Sequence, residues 1–243
     1  MSDTVEKTRN GAIVYDTAII NQISERAFVA NGWPHAKPIQ GPLRSAGRGK
    51  TLMVSDGQNE FVLRHYLRGG LPGKLIRDSY LWLGENKTRS FAEWYLLAKL
   101  HAMGLPVPRP AAARYRRKGI FYTADLLTIR LPDIRSLAER IVESPGNESL
   151  WKNIGAVLYR FHAAGVDHAD LNAYNVQVGN QDSIYLLDFD RGRILPPGPW
   201  QQKNIARLHR SLRKIKLADR NVHYTEADWN LLLDSYFNAS RSA

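Results

Sequence analysis

Four residues in one stretch of this chain have types and spacing that could do chemistry together. His168, Asp170 and Asn175 stand in His168-Ala-Asp-Leu-Asn-Ala-Tyr-Asn175, and Asp188 follows in Leu187-Asp-Phe-Asp190. An exposed aspartate can take a proton from an incoming hydroxyl, which is the part Asp170 suits. A four-residue turn brings Asn175 back toward the same space, where its amide oxygen could hold a cation beside the Asp188 carboxylate. Oxygen donors of this kind suit magnesium, which keeps nucleotide phosphates in its shell. His168 is assigned a bracing role in the loop. Each residue alone reads as part of a polar turn between strands. Together, in this order, they point to phosphoryl transfer.

The surrounding pattern supplies what would position them. Val176–Val178 and Ile184–Leu187 are short β-rich runs separated by Gly179-Asn-Gln-Asp182, a hairpin that returns Asp188 beside Asn175. A helix over 148–164, with Trp151, Ile154, Leu158 and Phe161 on one stripe and Gly165 as its stop, delivers the chain into the His168 loop. After Pro199 a helix buries Ile205, Leu208, Leu212 and Ile215. It presents Arg207, Arg210 and Lys214 outward, the expected membrane or acceptor contacts. A last helix opens at Thr225-Glu-Ala-Asp228 and buries Trp229, Leu232, Leu233 and Tyr236.

The first half reads differently. Residues 1–12 read as a loose arm, and a short helix is expected around Ile19 to Phe28. Gly41 to Thr51 is a glycine-rich loop in which Gly47 and Gly49 could let the backbone approach phosphates. Two strands follow, Leu52–Val54 and Glu60–Tyr66, joined through Asp56-Gly57. Arg64 in the second is either a solvent-facing charge on an edge strand or a phosphate contact. Ser90-Phe-Ala-Glu93 opens a helix, and Glu93 either closes a capping box or pairs with Arg64. Ile120–Ala124 is a further strand, running into a hinge at Asp125-Leu-Leu127, where Asp125 is a candidate nucleotide contact.

With 243 residues the chain has room for one large domain or two small lobes. It holds no cysteine, which excludes disulfides and cysteine-ligated metal centres. No run reaches the length of a membrane span, and the polar first ten residues do not form a secretory signal. A net charge of +11 favours anionic partners.

The order His168, Asp170, Asn175, then Asp188-Phe189 matches the H-R-D-x-x-x-x-N and D-F-G motifs of the protein-kinase fold. Val62-Leu-Arg-His-Tyr66, Arg68-Gly-Gly70 and Ser90-Phe-Ala-Glu-Trp94 narrow this further. Over residues 40–215 the chain resembles the 3-deoxy-D-manno-octulosonic acid (Kdo) kinases, lipopolysaccharide core kinases of the protein-kinase-like superfamily. The resemblance implies an α+β two-lobed fold. A mainly antiparallel β small lobe would cover 1–127 and a helical large lobe 128–243, with ATP in the cleft between them. It implies ATP and Mg2+, and phosphate transfer to the 4-hydroxyl of Kdo on a lipid A precursor at the cytoplasmic face of the inner membrane, where the protein would bind peripherally. By position, Asp170 would be the base, Asn175 and Asp188 the metal ligands, and Arg64 with Glu93 the phosphate contact. Asp190 replaces the glycine of D-F-G, which argues against an activation switch. A heptose kinase, or another small-molecule or protein kinase of this fold, is the alternative. A nucleic-acid-binding module is disfavoured by the intact Asp170, Asn175 and Asp188.

Overall fold

The computed structural model describes residues 2–39, 51–67 and 78–241. Gly47, Gly49, Arg68, Lys74 and Arg77 lie outside the described residues. The fold is α+β, in two compact units: residues 1–102 with 108–130, and residues 103–107 with 131–243.

The first unit is an antiparallel sheet with one helix against it. Its strands are β1 (Asp3–Thr8), β2 (Gly11–Asp16), β3 (His35–Pro38), β4 (Thr51–Ser55), β5 (Glu60–His65) and β6 (Tyr80–Leu81), then α1 (Arg89–Ala102), β7 (Pro110–Lys118) and β8 (Phe121–Ile129). The spatial order is β1-β2-β7-β8-β5-β4-β3, with β6 on β8. Alternation sets the two faces. Phe61 and Leu63 of β5 go into a core with Ile13, Tyr15, Phe28, Val54 and Leu127. Arg64 is therefore on the other face, and its strand is flanked by β4 and β8, so it is not an edge strand. On α1, Phe91 meets the Tyr115 ring of β7 at 5.2 Å, and Trp94, Leu97 and Leu100 are buried.

Three expectations change here. Residues 3–16 are not a loose arm but a hairpin, β1 and β2, whose second strand pairs with β7. Gly11 is required there because a Cβ would meet the Tyr115 carbonyl oxygen at 2.0 Å. The helix expected over 19–28 is reduced to 3₁₀ turns at Glu25–Phe28 and Ala30–Gly32. Arg114 of β7 donates to the Glu25 carbonyl at 3.1 Å, and the Trp33 indole N–H donates to the Ala27 carbonyl at 2.9 Å, which ties these turns to the sheet and to each other. Finally, the strand expected to end at Ala124 runs on through Asp125-Leu-Leu127 to Ile129, and the first unit ends at residue 130.

The second unit contains β9 (Arg135–Ser136), α2 (Leu137–Glu143), α3 (Glu148–Ala163), β10 (Val166–Asp167), β11 (Val176–Val178), β12 (Ile184–Leu186), β13 (Arg193–Ile194), α4 (Trp200–Ala218) and α5 (Glu226–Arg241). The helix α2 was not expected from the sequence, although Ser136 and Glu139 form a full capping box at its start. Asn147 caps α3 by accepting from the Leu150 N–H at 2.7 Å. Trp151, Ile154, Leu158 and Phe161 are buried, as their spacing predicts. Thr225 and Asp228 exchange hydrogen bonds at the start of α5, also as expected. Gly165, at φ +77°, turns the chain from α3 into β10, and a side chain there would strike the Leu195 carbonyl at 2.6 Å.

Candidate active site

The His168–Asn175 loop is built by side chains folding back on its own backbone. Asn172 Oδ1 accepts from the N–H groups of Tyr174 (2.9 Å) and Asn175 (3.2 Å), while its amide nitrogen donates to the Asp170 carbonyl at 2.9 Å. Asn175 Nδ2 donates to the same carbonyl at 2.9 Å. That fixes which way the amide faces and leaves Oδ1 as its oxygen donor for a cation. The β11–β12 hairpin pairs Val176 with Leu186, and the Leu187 N–H reaches the Asn175 carbonyl at 2.9 Å. Asp188 follows directly, so the hairpin brings it alongside Asn175.

Asp188 has φ +63°, a left-handed conformation that aspartate tolerates better than most residues. Asp190 is not among the positive-φ residues, so nothing in the backbone asks for glycine at that position; the left-handed turn is taken by Asp188 and Arg191 instead. Phe189 is buried between Phe161, at 5.8 Å, and His168, at 4.7 Å. His168 is 2% exposed. Its Nε2 lies 2.9 Å from the Leu187 carbonyl, and its Nδ1 is 3.3 Å from the Asp170 N–H. These partners require a neutral ring with the proton on Nε2. The bracing role expected of His168 therefore has a geometry: it ties the loop to the strand that carries Asp188.

Helix α4 supports the loop with residues three and four apart. Buried Asn204 accepts from the His168 N–H at 2.9 Å and donates to Asp167 Oδ1 at 3.0 Å. Ser211 Oγ accepts from the Ala173 N–H at 3.1 Å. Arg207 lies between them, and its Nη1 donates to Asp170 Oδ1 at 2.9 Å. Asn204, Leu208 and Leu212 are the buried line of α4, while Ile205 and Ile215 are only half-buried. An asparagine in step with two buried leucines was the available signal for this support. Arg207, Arg210 and Lys214 are all exposed, but Arg207 differs in being bonded to the Asp170 carboxylate.

In the first unit the two readings of Glu93 resolve. Ser90 lies inside α1 and its hydroxyl donates to the Arg114 carbonyl at 2.9 Å. Glu93 is 3% exposed and its Oε2 accepts from Arg64 Nη2 and, at 2.6 Å, from the Tyr66 hydroxyl. Arg64 also donates to Tyr66 Oη at 2.9 Å. Tyr66 shares the face of Arg64 by alternation, and its part in the ion pair is one that sequence pattern did not assign. Asp125 is buried and its carboxylate is held by Arg114 (3.0 and 2.8 Å) and His65 (2.7 Å). Such a buried pair is a structural element of the sheet, and it engages the side chain of Asp125, the residue expected as a nucleotide contact.

The model of the lipopolysaccharide kinase (Kdo/WaaP) family matches residues 39–236. The chain belongs to this family. It is 41% identical over 228 residues to a 3-deoxy-D-manno-octulosonic acid kinase of Stenotrophomonas maltophilia, covering 93% of this chain and 89% of that one. It is 38% identical over 226 residues to the enzyme of the same name in Vibrio parahaemolyticus, covering 93% and 94%. The relative in Xanthomonas axonopodis pv. citri, with that name too, is 41% identical over 228 residues. As a Kdo/WaaP kinase the protein is an ATP-dependent enzyme of the protein-kinase-like fold.

Two buried histidines give this kinase a defined acid sensitivity. Burial lowers His162 to about 4 and also lowers His168. His162 contacts the Tyr236 hydroxyl at 2.8 Å and the Trp200 ring at 5.2 Å. Both rings are neutral when folded but would bind a proton in the unfolded chain below about pH 6.5. Their neutral state therefore stabilises the fold fully above that pH. For His162 the contribution is lost as pH falls through about 4. Each site steepens the loss by up to about 1.4 kcal/mol per pH unit in its window. Thermal midpoints measured from pH 7.5 to 4.5 should fall more steeply for the unmodified protein than for His162→Gln. Parallel curves would contradict this.

Proposed function

We propose that this protein transfers the γ-phosphate of ATP to the 4-hydroxyl of Kdo in a Kdo-lipid A precursor during lipopolysaccharide core synthesis. The observation that carries it is the catalytic loop. It carries one carboxylate, Asp170, on a backbone locked by His168, Asn172 and Asn175, and a hairpin bonds Leu187, the residue before Asp188, to the Asn175 carbonyl. The relatives named 3-deoxy-D-manno-octulosonic acid kinase support Kdo as the acceptor.

In this reading the acceptor oxygen attacks the γ-phosphorus, the bond to ADP breaks, and the hydroxyl proton passes to Asp170. Asn175 and Asp188 fit a magnesium ion. They offer two oxygen donors, one charged, and magnesium takes few protein ligands because it keeps water and substrate phosphates. Among the described residues no cluster of three or more histidine and carboxylate side chains offers a cage of its own. Bound magnesium would neutralise charge on the ATP phosphates.

Arg64 is the proposed phosphate contact, oriented by Glu93 and Tyr66. Arg64→Ala would take a cation away from the buried Glu93 carboxylate, so Arg64→Lys is the cleaner change: it keeps the charge and loses the fork. It should raise the KM for ATP several-fold and leave the KM for acceptor nearly unchanged, as steady-state kinetics in both substrates will report. Equal effects on both would remove Arg64 from the nucleotide side.

The protein would act peripherally on an anionic membrane surface. No helix of the described residues is long and apolar enough to cross a membrane. Support for docking comes from α4, which carries no Asp or Glu along its length and exposes Lys203, Arg210, Arg213 and Lys214. Each cation near an anionic leaflet contributes about 1 kcal/mol, and salt screens it. Sedimentation with anionic vesicles should exceed that with neutral ones and fall with salt, and charge reversal of Arg210 and Lys214 should weaken it. Indifference to lipid charge would rule this surface out.

A further inference from the structure

The arginine on the proposed base does something that loop geometry alone does not require. Asp170 is already fixed by three backbone hydrogen bonds: its N–H to His168, and its carbonyl from Asn172 and Asn175. Arg207 adds a charged bond to the carboxylate itself, at 2.9 Å on Oδ1. A permanent cation held on a proton acceptor competes with the incoming proton for that oxygen, so an arrangement of this kind needs a compensating use.

We propose that Arg207 is the binding site for the carboxylate of the acceptor, a guanidinium that bridges Asp170 and the sugar acid. This deepens the function proposed above and rests on it, because Kdo carries a carboxylate on the same ring as the hydroxyl to be phosphorylated. Bringing that anion to the site sets two like charges side by side, Asp170 and substrate. A cation between them removes the repulsion. Arginine suits the task better than lysine, since its planar fork offers five N–H donors and can hold two carboxylates at once. Among the described residues Arg207 donates to Asp170 alone, and its side chain is 48% exposed, so its remaining N–H groups face solvent. Its backbone is set by a well-anchored helix, with Asn204 and Ser211 bonded to the same loop on either side. The substrate would thereby be registered against the base by the base's own partner. A neutral sugar presented to the same loop would lack this contact.

The experiment compares Kdo-lipid A precursor with the same molecule in which the Kdo carboxylate is converted to the primary amide, at saturating ATP. The unmodified enzyme should prefer the acid by about 10²-fold in kcat/KM, the scale of a lost charge-assisted hydrogen bond. In Arg207→Gln the acid should lose most of that advantage, so that the ratio of acid to amide falls toward one. A ratio unchanged by the substitution, whatever the absolute rates, would mean that Arg207 acts only through Asp170 and would overturn the proposal. So would an unmodified enzyme that uses both acceptors equally, a result that leaves the Kdo kinase assignment standing. An unmodified enzyme that phosphorylates neither acceptor would overturn the assignment and the anchor together. Arg207→Lys keeps the charge and provides the same test should the glutamine variant be unstable. Its ratio should fall well below that of the unmodified enzyme, because an ammonium cannot fork to two carboxylates.

Discussion

Replacing Asp170 by alanine should reduce turnover by about 10²–10⁴-fold, the usual contribution of a positioned proton acceptor, while ATP still binds. The structure makes this variant informative. The side chain of Asp170 is used outward, toward Arg207, whereas its backbone N–H and carbonyl hold the loop through His168, Asn172 and Asn175. Removing the carboxylate leaves those backbone bonds in place. Loss of kcat with unchanged ATP affinity, measured by titration calorimetry beside steady-state rates, is the expected signature. Near-normal turnover would remove Asp170 as the base.

Asp188→Asn should be comparably severe, on the order of 10³-fold in kcat, corresponding to the several kcal/mol of charge stabilisation that a catalytic cation supplies. Asparagine is the right replacement because position 188 is left-handed, at φ +63°, and asparagine tolerates that backbone as aspartate does. The change therefore tests charge and not conformation. Calorimetric titration of ATP at several magnesium concentrations should show weakened, less magnesium-dependent binding in the variant. An unchanged magnesium dependence would take Asp188 out of the metal site.

Local pattern made the catalytic loop, its hairpin and the flanking helices readable, because each rests on neighbours in sequence. Asn172, Asn175 and the Val176–Leu186 pairing all act within twenty residues of one another. What the sequence hid depends on distant partners. Ser90-Phe-Ala-Glu93 and Ser136-Leu-Ala-Glu139 have nearly the same pattern, yet only the second is a capping box. Glu93 is drawn into the interior by Arg64 of β5 and by Tyr66 just beyond that strand, and no window around residue 93 contains that information. The hairpin at residues 3–16 had a signal in Asn10-Gly11, but its outer strand is polar and exposed, so alternation is weak. Asp125 has the look of a hinge acid because Arg114 and His65, which bury its charge, come from two other strands. Arg207 is the most consequential case. Helical spacing puts it with Arg210 and Lys214 on a basic face, and only the packing of α4 against the loop turns it toward Asp170.

The central claim is tested most directly by transfer of labelled phosphate from ATP to a Kdo-lipid A precursor, with a heptosylated core acceptor present as competitor. The account predicts label on the Kdo 4-hydroxyl, dependent on Asp170 and Asp188, with the heptosylated acceptor left largely unlabelled. Label appearing on heptose while the Kdo precursor remains unmodified would contradict it.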